Sequence, residues 1–483
     1  MEVHVYVGVD VGTSVTKAVA FAESGEQLDC EVVDTRLSHP SPGLVEQDTD
    51  EVVDSVGAVI RGLLDRVREP VELLALTGQG DGLWLVDDQG RPVRPAVSWM
   101  DGRAAGTIRE WTDSGVADAV FQANGNTLFP GCAAALLAHL DAHEPAALDR
   151  ATTAAYCKDV VFQRLTGVRA TDASDASLPF GDPAGGYSEA VLKATGLTHR
   201  ADLLAPVRTP LPVGELHAAG AAATGLPVGT PVTSGPFDLP ACARGAGVVH
   251  PGDGMLIIGT TLACQVASST VDTSGAPAGM NLATGTPGRF LRAMPAMVGT
   301  ASVDWVLRLT KSTVDDLPRL LAAAPPGARG VSVLPYFAPS GERAPFVDPF
   351  ARGQFSGLTL QHDAADVVRA VCEGIAYAAR HCLEAAGLSG ALAVSGGGAR
   401  SDAWLRVFAD VLRRPLHIAQ GTQVGARGAV VAGLAALGRP VDEAGWTGSA
   451  RVVEPGAAAD HYERGYQRYL DQLAAARPLW GAA

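Results

Sequence analysis

No Cys-x-x-Cys pair occurs in the 483-residue chain, and its seven cysteines, at 30, 132, 157, 242, 264, 372 and 382, are scattered and odd in number. That pattern offers neither a zinc site nor a disulfide framework, and it fits a reducing, cytoplasmic compartment. Basic residues are in deficit too: 37 Lys and Arg against 52 Asp and Glu give a formal charge of −15. An acidic surface speaks against nucleic acid or an anionic membrane as partner, although a nucleotide can still bind locally through backbone N–H groups. No uninterrupted apolar run reaches the ~18 residues of a membrane span. The first residues read as a strand, not as a secretory signal. A chain this long is expected to form two domains of about 200–250 residues each.

What is present is a repeated pattern. In "VGVDVGTSVTKAVAF" an apolar strand, Val3–Val9, leads through Asp10 and a Gly12-Thr13-Ser14 turn into a second strand, Val15–Phe21. This is a hairpin signature. "GMLIIGTTLACQVASS", from Gly254 to Ser269, repeats it around Gly259-Thr260-Thr261, about half a chain further on. Such spacing is what a duplication leaves. The place of Asp10 is taken by Ile257 in the second copy. The scaffold is repeated and the carboxylate is not, so Asp10 has a task beyond making a hairpin.

Elsewhere strands and helices alternate, which points to a mixed α/β class. Glu72–Gly78 reads as a buried strand. Ala365–Ala386 reads as a helix with Val367, Val371, Ile375 and Ala378 on one stripe. "GALAVSGGGARSDAWLRVFADVL" reads as strand, glycine turn and helix, with Ser401 as N-cap. "GARGAVVAGLAALG" is a small-residue helix. Thr284–Phe290 and Ala323–Gly330 read as loops.

Four stretches carry candidate chemistry. In the opening turn, backbone N–H groups, the hydroxyls of Thr13 and Ser14, and Lys17 can meet phosphate oxygens, and Asp10 can hold Mg²⁺. A plain hairpin with a polar cap is the simpler alternative. No Gly-Lys-Ser/Thr follows, so this is not a Walker A loop. In "TSGPFDLPACARGAGVV", Asp238 is a lone carboxylate among apolar residues, suited to act as a base on a hydroxyl or, more simply, to cap the helix after it. In "SGGGARSDAW", Gly396, Gly397, Gly398 and Ala399 allow close approach of a nucleotide, or merely make a tight turn. The stretch "TGQGDGLWLVDDQGRPVRPAVSWMDGRA" gathers Gln79, Asp81, Trp99, Asp101 and Arg103, a set suited to a polyhydroxylated ligand: polar forks for hydroxyls, a ring for C–H faces. A structural ion pair in "DGR" is an equal alternative, and Asp87–Gly90 reads as a solvated turn.

Taken in order, "DVGTSVTKA", "KDVVFQRLTG", "TDASDAS", the Gly259 turn, "SGERAPFVDPFARGQFSGLT", the long helix with Asp366 and Glu373, "GGGARSDAWLRVFADVLRRP" and "GARGAVVAGLAALG" resemble the FGGY carbohydrate kinase family, within the actin, sugar-kinase and Hsp70 superfamily. The resemblance implies an α/β chain of two ribonuclease-H-like (actin/hexokinase-type) domains, 1–245 and 246–483, around an ATP and sugar cleft. It implies ATP and Mg²⁺ as cofactors. Asp10 would serve the metal and γ-phosphate, with Gly12, Thr13, Ser14, Lys17, Gly259, Thr260 and Thr261 around the phosphates. Gly396–Gly398 and Ala399 would lie by the adenosine, and Asp238 would be the general base. Gln79, Asp81, Trp99 and Arg103 would contact the substrate, a small sugar or polyol. A homodimer is compatible with this reading.

Several departures bear on the substrate. Many pentulose kinases have Met-His where this chain has Gly80-Asp81, and an amide residue where it has Leu239. The family's first signature, rich in Lys and Trp, is replaced by "FPGCAAALLAHLDAHEP". The "GQGDG" and "GPFDLPA" stretches look closer to the erythritol-type branch, with a xylulokinase-type pentulose kinase as the alternative. An Arg-Glu pair typical of glycerol kinases is missing. Two readings of another class are a nucleotide-switch ATPase of actin or Hsp70 type and a non-catalytic sugar sensor.

Overall fold

The structure, a computed structural model, describes residues 4–481. The opening hairpin consists of β1 (Val5–Val11) and β2 (Val15–Ala22). Val3 lies outside the described residues, and the strand continues past Val9 to Val11. Asp10 is therefore a strand residue, opposite Lys17 on β2. Apolar residues on both faces make β1 a central strand. It pairs antiparallel with β2 and parallel with β4 (Val71–Gly78), while β3 (Gln27–Asp34) lies beyond β2. β5 (Pro231–Ser234) runs parallel to β4, and Val213–Glu215 forms the far edge of this six-stranded sheet.

A second, seven-stranded sheet repeats the plan. β6 (Gly254–Ile258) and β7 (Leu262–Ser268) form the second hairpin, and β8 (Phe290–Ala296) extends it antiparallel. β9 (Leu392–Ser395) pairs parallel with β6, and β10 (Leu416–Ala419) parallel with β9. The orders β3-β2-β1-β4-β5 and β8-β7-β6-β9-β10 match in sequence and direction. The likeness of the two glycine turns thus extends to whole ribonuclease-H-like sheets.

Helices cover the sheets. α1 (Thr49–Leu64), capped by Asp48, and α2 (Cys157–Thr166) bury Val52, Val56, Ile60, Val160 and Phe162 against one face of the first sheet. α3 (Asp238–Gly245) follows β5, and α4 (Thr300–Leu309) follows β8. α5 (Ala364–Ala385) begins in a capping box between Asp363 and Asp366, and Ser401 caps α6 (Asp402–Leu412) through the Trp404 N–H. α5 is buried on more than its apolar stripe, because Asp366 pairs with Arg329 at 2.7 Å and Glu373 with Arg369 at 2.7 Å. α7 (Val424–Ala436) is the small-residue helix. α8 (Ala459–Trp480) is an additional long helix. Its buried Tyr462, Tyr466, Tyr469 and Leu473 stand at i, i+4, i+7 and i+11, a helical signal that the sequence carried. Ala323 closes a short helix and Ala328–Gly330 is a 3₁₀ turn, so that segment is more ordered than a loop.

The small residues of α7 have a definite use. This helix comes from the second half of the chain yet lies on the first sheet, packing Ala426, Ala429 and Val430 against Tyr6, Val19 and Leu73. It also crosses α3 at backbone contact: a Cβ on Gly428 would fall on the Ala241 carbonyl, and one on Gly245 on that of Val424. Gly428→Val is expected to destabilise the chain by at least the ~1–3 kcal/mol of an overpacked core. Denaturant midpoints check this against Gly106→Ala, whose site has nothing within 4 Å and which should be neutral or stabilising.

Candidate active site

The end of β1 and the turn after it set one wall. The Gly12 N–H donates to the Val15 carbonyl at 3.0 Å, and a Cβ at Gly12 would lie 2.9 Å from that oxygen. The Thr13 hydroxyl donates to Gln79 Oε1 at 3.0 Å and accepts from the Trp99 indole N–H at 3.0 Å. Its carbonyl accepts from Gln47 Nε2 at 3.1 Å and from the Thr35 hydroxyl at 3.0 Å. Thr13 therefore ties the turn to Gln79 and Trp99, whereas Ser14 is exposed. Asp10 makes no side-chain hydrogen bond among the described residues. Burial raises its pKa, against the opposing charge of Lys17.

The second turn is braced from behind. N–H groups at the start of α4, on Thr300 and Ala301, donate to the carbonyls of Gly259 and Thr260 at 2.9 and 3.3 Å. Thr260 and Thr261 stay exposed. Beside them, Gly396 and Gly398 are glycine for packing: a Cβ on Gly396 would lie 2.6 Å from the Ile258 carbonyl oxygen, and one on Gly398 would strike the Ile258 side chain. Gly397 is exposed with open space above it, while Ala399 is buried. The glycine cluster is thus a tight turn against the second hairpin, and Gly397 keeps its face free.

Asp238 is the first residue of α3, and Phe237, not Asp238, occupies the cap position. The N-cap alternative does not hold. Asp238 keeps part of its surface exposed. Burial, then the charge of Asp10 and that of Asp81, push it up to about 7 against one N–H donor, Leu239. Phe237 also explains a departure noted in the sequence: a Cβ on Gly80 would lie 2.7 Å from the Phe237 ring. The ring fills the space that a side chain at position 80 would need, so "GQGDG" and "GPFD" are matched.

Behind Asp238 lies a charge cluster that sequence reasoning did not single out as functional. Lys158, fully buried, places Nζ 2.7 Å from Asp159, 2.8 Å from Asp172 and 2.9 Å from Asp175. Burial alone would depress the lysine, but the three aspartates hold its pKa well above the usual value. Ser234, at the end of β5, donates to Asp159 at 3.0 Å, and the Phe237 N–H donates to the Ser174 hydroxyl at 3.0 Å. The "KD" and "TDASDAS" stretches thus form the wall that holds residues 234–238. Four charged residues facing one another in an apolar setting were the available signal.

The remaining candidates separate into two groups. Gln79 donates to Gln47 at 2.9 Å and is buried. Asp81 is buried too, with φ +57°, and accepts from the Ala133 N–H at 3.3 Å. Burial pushes its carboxyl up to about 7, opposed by the Ala133 N–H and the charge of Arg343. Arg103, by contrast, is held by Asp101 at 2.8 Å and Glu46 at 2.7 Å, which is the structural ion pair. Arg343 is the residue missed: its guanidinium lies 5.9 Å from the Trp99 ring centroid and 5.6 Å from that of Phe129. Phe129 and Ala133 both belong to the stretch that replaced the family's first signature.

Among the described residues no cluster of three or more His, Cys, Asp or Glu is arranged for a metal ion. Mg²⁺ bound to nucleotide phosphates needs only one or two carboxylates, and Asp10, without a side-chain hydrogen-bond partner among the described residues, fits that demand.

Twin ribonuclease-H-like sheets, each opened by a hairpin with a glycine turn, define the two-domain sugar-kinase fold of actin and hexokinase type. The solved structure of xylulose kinase from Rhodospirillum rubrum has this fold with a TM-score of 0.89 at 28% identity, over 98% of this chain and 99% of that one. The chain belongs to the FGGY family of carbohydrate kinases: its N-terminal domain matches residues 5–245 and its C-terminal domain residues 254–437. The sequence is 34% identical to erythritol kinase of Brucella abortus, over 99% of this chain and 97% of that protein. It is 32% identical to xylulose kinase of Escherichia coli K12, over 87% of each.

Proposed function

We propose that this kinase transfers the γ-phosphoryl group of ATP to a hydroxyl of a small acyclic polyol, with Asp238 as general base. The observation that carries the reading is the place of Asp238: the first residue of α3, only partly exposed, with the charges of Asp10 and Asp81 near enough to raise its pKa. A base so tuned is half ionised near neutral pH, the best compromise for general-base catalysis. The substrate hydroxyl oxygen attacks the γ-phosphorus, the bond to the bridging oxygen breaks, ADP leaves and the hydroxyl proton passes to Asp238. Asp10 would hold Mg²⁺, directly or through water, and the ion would supply positive charge against the phosphates. The exposed turns at Ser14 and Thr260–Thr261, with Lys17, face the phosphates, and Gly397 offers its open face to the adenosine. Closing the cleft excludes water, which would otherwise compete as acceptor.

The division at 245/246 is part of this reading. It is supported by the end of α3 at Gly245 and the start of the second sheet at Gly254. A cytoplasmic setting is supported by seven unpaired cysteines. No helix among the described residues is long and apolar enough to cross a membrane.

Asp81 supports a polyol over a ketose. When ionised it only accepts, and so takes hydrogen bonds from substrate hydroxyls. With a pKa of about 7 it is partly protonated at neutral pH, so the preference should sharpen as pH rises. The full-length similarity to an erythritol kinase supports erythritol as lead substrate. The test compares kcat/KM for erythritol, xylitol, ribitol, glycerol, D-xylulose and L-ribulose, before and after Asp81→Asn. Erythritol is expected to rank first by tens-fold, the scale of a charged hydrogen bond of about 1.5–3 kcal/mol, with the margin reduced in the variant. D-xylulose as best substrate would favour the pentulose kinase reading.

A further inference from the structure

A guanidinium from the second half of the chain lies against two aromatic rings of the first half, and its use extends the reading above, on which it rests. The backbone of Arg343 is pinned by its neighbour. The buried Glu342 carboxylate accepts from the N–H groups of Met297, Arg343 and Ala344 at 2.8, 2.9 and 3.3 Å. Arg343 Nε then donates to the Pro295 carbonyl at 3.1 Å. Pro295 lies on β8 opposite Ala263, just past the Gly259 turn. From this anchor the guanidinium comes within cation–π distance of both the Trp99 and the Phe129 ring, from the first half of the chain.

Among the described residues, no carboxylate pairs with Arg343 and its two terminal nitrogens have no protein acceptor. Arg343 is half-buried, and even partial desolvation of an unpaired charge is costly, so an acceptor for its terminal nitrogens would offset that cost. Cation–π contact with two rings offsets part of that cost. Asp81 is close enough for the two charges to act on each other, yet they form no salt bridge. Arg343 only donates, and Asp81, in its ionised form, only accepts. A hydroxyl both donates and accepts, so a vicinal diol satisfies both sides at once, whereas a ketose carbonyl cannot donate to Asp81.

We propose that Arg343 is a specificity-determining residue that donates to one hydroxyl oxygen of a vicinal diol while the neighbouring hydroxyl donates to Asp81, so that the substrate bridges the two halves of the chain. Arg343→Ala is expected to raise KM for erythritol tenfold or more and to leave KM for ATP within twofold. Arg343→Lys keeps a charge over the rings but loses the planar fork, so it should fall between. Wild type should reject 1,4-butanediol, which has no vicinal pair, and Arg343→Ala should lose most of that discrimination. Asp81→Asn should cost less in the Arg343→Ala background than alone. Unchanged erythritol KM, a parallel rise for ATP, or strict additivity with Asp81→Asn would overturn the proposal. If thermal melting shows that the alanine variant is unfolded, Arg343→Lys decides: wild-type KM and discrimination would overturn it. The two failures can be told apart. An inactive Asp238→Asn alongside an unaffected Arg343→Ala removes Arg343 alone, while an active Asp238→Asn removes the base assignment.

Discussion

Asp238→Asn is expected to lower polyol-dependent turnover by about 10²–10⁴-fold, the usual contribution of a general base, while nucleotide binding persists. Asparagine preserves the shape of the side chain and cannot take the hydroxyl proton. The first turn of α3 does not depend on this side chain for its cap, because Phe237 holds the cap position. The fold should therefore survive, and calorimetry with ADP should give near-normal affinity. The same assignment fixes a pH profile. With its pKa raised to about 7, the ionised base accumulates as pH rises, so kcat/KM should climb from pH 5.5 to 8 with a midpoint near 7. Turnover in Asp238→Asn within a few-fold of wild type would remove the assignment.

Those cleft carboxylates also act on stability, with a definite sign. Asp81 and Asp238 have pKa values raised from 3.8 to about 7. The fold favours their protonated forms. The stability this adds is complete below their unfolded values and is lost as pH rises through about 7. Function at neutral pH thus uses groups whose ionisation opposes folding.

Lys158→Met is expected to be the most destabilising single change. Breaking a buried ion pair by removing one partner costs about 3–5 kcal/mol, and here three carboxylates lose the same ammonium. Urea midpoints measure the loss. Activity should fall with it, because Ser234 and Ser174 link the cluster to the backbone that carries Asp238. Replacing Asp175 by Asn in the Lys158→Met background should restore part of the stability by removing a stranded charge. A loss below about 1 kcal/mol in the single variant would mean that the cluster does not rely on its lysine.

Much of this site was legible because strand, glycine turn and strand leave a local signature. The two hairpins, the Glu72–Gly78 strand, the helix beginning near Ala365 and the Ser401 cap all depend on neighbours in sequence. What was not legible depends on contacts between distant residues. Asp159 of α2 and Asp172 and Asp175 surround Lys158 only once the sheet brings them together, so "KD" and "TDASDAS" looked like motifs without a task. Arg343 stands within a longer family stretch, but nothing local shows that it meets Trp99 from the other half of the chain. Gly80 looked like a lost side chain until Phe237 was seen to fill its place. Arg103 had suitable chemistry for a ligand, yet Asp101, two residues away, and Glu46 already hold it.

The most direct test of the central claim is ³¹P NMR of wild-type enzyme with ATP, Mg²⁺ and erythritol. The account predicts one new phosphomonoester for each ADP formed, and little ADP or inorganic phosphate when erythritol is omitted. Inorganic phosphate matching ADP whether or not any polyol is present would contradict it and point to a nucleotide-switch ATPase. Erythritol binding without any ADP would contradict it equally and leave a sensor.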